Sequence, residues 1–372
     1  MKNLHEDIMT QILERFPVKF LLRCMLVQQS WYHLIRTPEF VSAHYNYHKL
    51  YHSNHLLFEP NYKNQYPLVL QCEKHDIPLH YPQSVSRRLS FYCVSNGLIC
   101  FATGGVGYNT RLWLWNPAIR KFKTLPVPQR PKIQGFTEVA SLAFGFCPKH
   151  NDIKVVKMVM YLRVTPNAPN NLYTVADVYS LSTNSWKTTN NNPILVDWLS
   201  STAGLFLKGT AFFCGINVDK NDIIVSYDID KDTMRMISFP ENARATRGFS
   251  LEVFGKSVAL FMKKSGCCAF NVWFLKEGGT DEVYWEKQFS FNLPVNEDRL
   301  ILGICSNGEV ILGNSSGFNG LVPYHVVSYN VEKNEVKDFG WLQPQSHSFV
   351  NSFTESLFMI STKNEDAMSM IE

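Results

Sequence analysis

Gly313-Asn314-Ser315-Ser316-Gly317 has the spacing G-x-S-x-G, in which a serine on a strained strand-to-helix turn becomes a nucleophile. The surroundings do not suit that chemistry. "EVIL" precedes the pattern and the β-rich "LVPYHVVSYNV" follows it, so a Gly/Ser hairpin loop is the better account. Asp228, Asp230 and Asp232 begin like a calcium loop, but the positions that need Gly and Glu hold Thr233 and Phe239, and the aspartates read as caps of a hairpin turn. Gly104-Gly105-Val106-Gly107 lacks the lysine of a phosphate loop and reads as a hairpin tip. The eleven histidines include no H-E-x-x-H spacing, so no zinc site is expected. The nine cysteines are odd in number and never form C-x-x-C, and neighbouring Cys267 and Cys268 cannot bridge without strain. Reduced thiols of the cytosol, or the nucleus as well, are the natural reading. No catalytic residue, metal or cofactor is assigned. The expected chemistry is recognition.

The elements that would position such recognition divide the chain unequally. In the first 48 residues, Leu4, Ile8, Ile12, Leu13 and Phe16 recur at helical spacing and Pro17 ends the run. Val18, Leu21, Leu22, Met25 and Leu26 mark one face of a second helix, and Trp31, Leu34 and Ile35 a third. Thr37-Pro38-Glu39 reads as N-cap, first-turn proline and acidic first turn of a fourth helix carrying Phe40, Val41 and Tyr45. A unit this small, with this many large apolar side chains, needs a partner protein to cover part of them. The remainder is β-rich and repeats. Gly97, Gly209, Gly255 and Gly308 each sit in a polar turn before an apolar strand, and Trp115, Tyr227, Trp273 and Tyr329 follow them by 18, 18, 18 and 21 residues. Gly145 and Tyr179 fit a further unit with an inserted loop. Units of this length, built from short strands and hairpins, indicate propeller blades. Strands near residues 54–72 and the segment "SFVNSFTESLFMI" are expected to share one blade that both chain ends close. The fold class is therefore mainly β: a six-bladed β-propeller-like domain, with seven blades as the alternative, behind a small all-α module. The aromatic landmarks read as blade core in preference to a sugar-binding surface. The two units are expected to have separate cores.

Charge and targeting narrow the partners. The 36 basic and 32 acidic residues give a net charge of +4 with no basic run longer than pairs such as Arg87-Arg88, so no nucleic acid is expected. The N-terminus meets Glu6 and Asp7 before any apolar run, and "FLLRCMLV" is too short and too interrupted to span a bilayer, so neither a signal peptide nor a membrane is expected.

The run "LHEDIMTQILERFPVKFLLRCMLVQQSWYHLIRTPEF" resembles an F-box, the motif through which substrate receptors join a Skp adaptor and a cullin scaffold in a ubiquitin ligase. It departs from the usual pattern at His5, Phe16 and Gln28-Gln29. The resemblance implies adaptor contacts at Leu4, Ile8, Ile12, Leu13, Pro17, Leu21, Leu22, Arg23, Met25, Val27, Trp31, Leu34, Ile35, Pro38 and Phe40. The segments "SNGLICF", "LWNPAIRKFKTLP", "FGFCPKHNDIKVVKM", "VYSLSTNSWKT" and "VSYDIDKDTMRMISFP" resemble the plant F-box-associated, kelch-like domain, and are most similar to the S-locus F-box group and its relatives. That likeness implies a module at 1–48, a propeller at 49–361 and a flexible tail at 362–372. It also implies a non-catalytic receptor whose loops hold a protein for ubiquitination, an S-locus ribonuclease if the subgroup holds. Loops outside the repeat supply the expected target contacts: Tyr108, Arg111, Asn170, Asn217, Asp219, Asp222 and Asn319. The rival reading is a glycan-binding propeller tethered by its helices.

Overall fold

The structure is a computed structural model that describes residues 4–51, 55–58, 68–71, 76–79, 89–103, 110–129, 136–163, 174–189, 194–200, 203–240, 249–264, 269–278, 282–293, 299–305, 308–314, 324–342 and 350–359. Four helices come first: α1 (Leu4–Leu13), α2 (Val18–Cys24), α3 (Gln29–Ile35) and α4 (Pro38–Tyr51). Pro17 stands at the head of α2 in extended backbone, where its ring stops one helix and starts the next. The Thr37 hydroxyl accepts from the Phe40 N–H at 3.3 Å and donates to the Leu34 carbonyl at 2.8 Å, so it caps α4 and ends α3 at once. Helix α4 runs through residue 48 and ends only at Tyr51.

All that follows among the described residues is strand and turn. The first sheet holds β1 (His55–Phe58), β2 (Leu68–Gln71) and β3 (Asp76–Leu79), and the last described strand, β25 (Val350–Phe353), pairs with β1. The second holds β4 (Leu89–Ser95), β5 (Leu98–Thr103), β6 (Leu112–Asn116) and β7 (Lys121–Thr124). The third holds β8 (Phe136–Cys147), β9 (Asp152–Arg163), β10 (Thr174–Ser180) and β11 (Ser185–Thr189). In the fourth, β12 (Val196–Leu199) and β13 (Leu205–Leu207) share the edge of β14 (Thr210–Asn217), followed by β15 (Asp222–Asp228) and β16 (Thr233–Ser238). The fifth holds β17 (Phe249–Phe254), β18 (Ser257–Lys263), β19 (Ala269–Glu277) and β20 (Val283–Asn292). The sixth holds β21 (Arg299–Ile304), β22 (Val310–Asn314), β23 (Tyr324–Asn330) and β24 (Glu335–Leu342). Strands β25, β4, β8, β13, β17 and β21 lie side by side in succession, and β21 returns to β25, so the first strands of the sheets enclose a centre. This is a β-propeller.

The repeat seen in the sequence has a physical cause. Gly97 (φ 70°) and Gly209 (φ 88°) lie in the tight turns that join the first two strands of a sheet, in backbone that a side chain resists. Gly145 does not: it lies inside β8, where an added Cβ would come 2.5 Å from Phe206, and the turn of its sheet is instead carried by Asn151 (φ 46°). The tyrosine landmarks are latches. The hydroxyls of Tyr179, Tyr227 and Tyr329 donate at 2.7–2.8 Å to Asn184, Asp232 and Asn334, five residues on, and each acceptor sits at φ 52–54° in the turn before the last strand.

Helices and propeller do not have separate cores. Leu13, Val18, Leu21, Ile35, Phe40 and Tyr45 join one buried cluster with Leu98, Leu114, Phe144 and Leu357 to Met359. The reason is the six residues after β25. They run beneath the second sheet, held by the fully buried Asn116, whose amide donates to the Ser356 and Phe358 carbonyls at 2.9 and 2.8 Å. The Lys121 ammonium donates to the Met359 carbonyl at 3.1 Å. Phe358 then packs between Tyr45 of α4 (centroids 5.8 Å apart) and Phe146 (5.3 Å). A Cβ on Gly97 would lie 2.5 Å from the Thr354 carbonyl, so this segment and the β4–β5 turn approach backbone to backbone.

Inside the module, the Phe16 carbonyl accepts from Nε2 of both His44 (2.9 Å) and His48 (3.1 Å), the two rings 4.3 Å apart. Burial, with a smaller contribution from His48, pushes the His44 imidazole down to about 4 from an ordinary 6.5, so the folded chain holds it neutral. A base depressed on folding adds stability that is complete above its ordinary value and is lost as protons bind the unfolded chain more readily. We expect stability to fall between pH 6.5 and about 4, by up to about 3 kcal/mol. His44→Gln should flatten that slope in urea melts taken across the range; an unchanged slope would assign it to other groups. Ending the chain at Gln345 removes β25 and the segment that joins helices to propeller, leaving β1 with an unpaired edge and β4 and β21 without the strand that lies between them. It should abolish the cooperative melt of the whole protein, and a truncated form melting near the full-length temperature would contradict closure by both ends.

Candidate functional site: an apolar face on the helices and a loop face opposite

The helical module exposes hydrophobic side chains out of proportion to its size. Among the described residues, eight large exposed hydrophobics lie before residue 52 (Ile8, Ile12, Phe20, Leu26, Val27, Tyr32, Leu50, Tyr51) and seven in all the rest. Ile8 and Ile12 stand one turn apart on α1 at 51% and 43% exposure, and Leu26 (87%) and Val27 (75%) cap the turn after α2. Arg36 lies over the Tyr32 ring, 4.9 Å from its centroid. Such a concentration marks an interaction surface rather than ordinary surface scatter.

The residues singled out in the sequence separate into two groups here. Ile8, Ile12, Pro17, Arg23, Val27 and Pro38 are exposed, and Leu22, Met25, Trp31 and Leu34 are half-buried. Leu13, Leu21, Ile35 and Phe40 are buried at 0–2%, inside the chain's own core. Their side chains build the module and have no surface to offer a partner. The apolar stripe of α2 therefore faces inward along much of its length. The side chain of Leu4 lies outside the described residues. Phe20, Leu26 and Tyr32 belong to the exposed face and were absent from the sequence-based set; Phe20 and Tyr32 lie off the stripes, so periodicity alone hides them.

Strand alternation fixes what lies on the other side. In each sheet the first-to-second and third-to-fourth turns share one end, and the second-to-third loops share the opposite end. The module and the segment 354–359 sit at the end of the tight turns, through Tyr45, Phe358 and the β4–β5 turn. The described residues expected at the target, Arg111, Asn217, Asp219 and Asp222, lie at second-to-third connections, at the end away from the helices. Arg111 is exposed at the start of β6, and Asp219 is exposed between β14 and β15. Asn217 is spent on its own turn, where its Oδ1 accepts from the Asn221 N–H at 2.9 Å. Burial raises the Asp222 carboxyl above its ordinary value. Tyr108, Asn170 and Asn319 lie outside the described residues. On the same face, exposed Leu195, Trp198 and Val218 surround the β12–β14 pairing, where Val196 stands opposite Asn217.

The chemical candidates resolve into structure. Asp228 accepts from the Asp230 and Lys231 N–H groups at 2.9 and 3.1 Å, a turn cap. Asn314 ends β22 with its Oδ1 on the His325 N–H at 3.0 Å; Ser315 to Gly317 lie outside the described residues, and the next described element is the strand β23. His44 and His48 have the helical spacing of a metal pair, yet both spend Nε2 on Phe16. Trp115, Tyr179, Tyr227 and Tyr329 are buried in the sheets and Trp273 partly so. Six described cysteines are free thiols, and among the described residues no helix is long and apolar enough to cross a membrane.

Residues 1–42 match the F-box domain and residues 45–363 the F-box associated beta propeller domain. The chain is similar to an F-box/kelch-repeat protein of Arabidopsis thaliana, 26% identical over 339 residues (83% of this chain, 85% of the relative). It is 24% identical over 350 residues to another F-box protein of that plant (89% and 80% covered). The F-box protein CPR1 of Arabidopsis thaliana is 23% identical over 316 residues (79% and 74% covered). Among solved structures, TolB from Acinetobacter baumannii aligns with a TM-score of 0.44 at 13% identity, covering 80% of this chain and 65% of that one.

Two substitutions separate core from surface within the module. Leu21→Asp buries a carboxylate at a position with no exposure and should cost about 4 kcal/mol or more. Leu26→Asp, at 87% exposure, should leave the melting curve within about 0.5 kcal/mol of the parent. Equal destabilisation by both would refute the division of the helical face.

Proposed function

The chain belongs to the F-box-associated beta propeller family and carries an F-box domain ahead of it, and on that premise we propose that it is the substrate-recognition subunit of a Skp–cullin–F-box ubiquitin ligase. The observation that carries this reading is the exposed apolar set on the helices, Ile8, Ile12, Phe20, Leu26, Val27 and Tyr32, which calls for a protein cover. A Skp-type adaptor takes that face, with Pro17, Arg23 and Pro38 at its edge and the half-buried Leu22, Met25, Trp31 and Leu34 beneath; a cullin follows through the adaptor. The functional units are the F-box at 1–48, the propeller at 49–361 and a tail at 362–372. The propeller has six blades, one for each sheet, the first built from both ends of the chain.

The target protein binds the loop face opposite the helices, at Arg111, Asp219 and Asp222 and at the apolar Leu195, Trp198 and Val218 beside them. The chain itself forms no bond with ubiquitin. Holding a target lysine near an activated ubiquitin raises its effective concentration, and that is the receptor's whole contribution to rate. Placing adaptor and target on opposite ends of the propeller keeps the two partners from competing for surface. An S-locus ribonuclease, usually basic, would need an acidic face, and the described part of it includes Asp219, Asp222 and Asp197, the last paired with Lys220.

Leu26→Asp and Val27→Asp keep the fold and should each weaken capture of a Skp-type adaptor by roughly a hundredfold, about 3 kcal/mol for a carboxylate pressed into an apolar interface. The measurement is titration calorimetry of purified full-length protein with purified adaptor. Wild-type affinity in both variants, or a parent chain that binds a glycan array and ignores the adaptor, would overturn the assignment.

A further inference from the structure

Cys147 ends β8, and the tight turn that follows brings His150 back toward it, with the Asn151 N–H donating to the Pro148 carbonyl at 3.2 Å. The thiol Sγ lies 3.5 Å from His150 Nδ1. Across the seam to the next sheet, the turn between β15 and β16 sends Asp230 to the same spot, its backbone fixed by the Asp228 cap. Asp230 Oδ1 lies 3.2 Å from His150 Nε2, and its Oδ2 lies 3.1 Å from the Lys149 ammonium. One ligand atom from each of Cys147, His150 and Asp230 falls within 4.8 Å of the others.

We propose that Cys147, His150 and Asp230 form a zinc-type divalent metal site that fastens the third sheet to the fourth on the face that carries the helices. The distances suit it. Thiolate and imidazole bound at about 2.3 and 2.0 Å to one tetrahedral ion stand roughly 3.5 Å apart, and that is the separation of Sγ and Nδ1. Sulfur, nitrogen and oxygen together are the donor set of zinc rather than of calcium or magnesium. Asp230 meets the other ring nitrogen, where a carboxylate fixes the tautomer that leaves Nδ1 free to ligate; to reach the ion itself, one of its oxygens must leave His150 or Lys149 by rotation of the side chain. The thiol is 1% exposed, while His150 and Asp230 open to solvent, which gives the ion an entry path. Gly209, from the fourth sheet, closes the other side: a Cβ there would stand 3.2 Å from the sulfur. On binding, the sulfur–hydrogen bond of Cys147 breaks, its proton goes to water and a sulfur–metal bond forms, so affinity rises with pH. The sequence carries a sign of this in Cys147-Pro148-Lys149-His150, two ligand types with two residues between them, but Asp230 is eighty residues away.

The test uses the full-length protein and two probes, zinc chloride in competition with a chromophoric chelator and cobalt chloride read by absorption. The expected results are one tightly held zinc per chain, a thiolate-to-cobalt charge-transfer band, and a melting temperature raised by zinc. Cys147→Ser should lose the band, and Asp230→Asn should weaken zinc by about 10- to 100-fold. Should Cys147→Ser fail to fold, His150→Gln on the exposed turn decides: it must lower zinc affinity at least as much as Asp230→Asn. No zinc uptake by the parent, a band that survives in Cys147→Ser, or wild-type affinity in His150→Gln would overturn the site and leave a hydrogen-bonded Cys–His–Asp chain in its place.

Discussion

Antiparallel pairing of β1 with β25, from His55 opposite Phe353 to Phe58 opposite Val350, is the constraint on which the rest of the molecule leans. Each other sheet is a local meander that its own hairpins assemble. This one needs segments nearly three hundred residues apart. Its loop-closure entropy is large and is recovered only when all the intervening sheets are already in place to hold the two ends together. Once formed, it covers the inner edge of β1, which otherwise presents unpaired backbone groups to any passing strand.

The same pairing sets where the helices sit. Because β25 runs toward the tight-turn end, the residues after it emerge beneath the second sheet and meet Asn116, whose side-chain amide satisfies two of their carbonyls in a fully buried setting. Phe358 is thereby held against Tyr45. Helix α4 is thus held against the propeller by the far end of the chain as well as by its neighbours in sequence, and the exposed face of α1 and α2 takes its direction from that seat. Shared packing of this kind makes the module and propeller one body, in which the distance from helices to loop face is a property of the fold.

Much of the propeller was legible because its repeat is imposed by backbone geometry. A turn residue at positive φ and a tyrosine that reaches it five residues later leave a mark at constant spacing whatever else the sheet contains. Gly145 shows the limit of that reasoning, since a glycine forced by the nearness of Phe206 looks the same in sequence as one forced by a turn. On the helices, the amphipathic pattern found the elements but not the side that faces a partner. Leu21 and Leu26 are equally apolar, and the packing of the helices on one another, on the propeller and on Leu357 to Met359 decides which apolar side chains are covered by the chain itself. Contacts that join distant segments, Tyr45 to Phe358 or His150 to Asp230, leave no periodic trace.

The position of β25 also has a temporal consequence. A ribosome extends a chain at roughly 5–20 residues per second, so β1 waits on the order of tens of seconds before its partner strand has been made. Through that interval the nascent protein carries an open edge and helices whose seat does not yet exist, while β4 to β24 assemble hairpin by hairpin. Exposed strand edges and apolar helices are the surfaces on which chaperones act, and here that exposure ends only once β25 has been made.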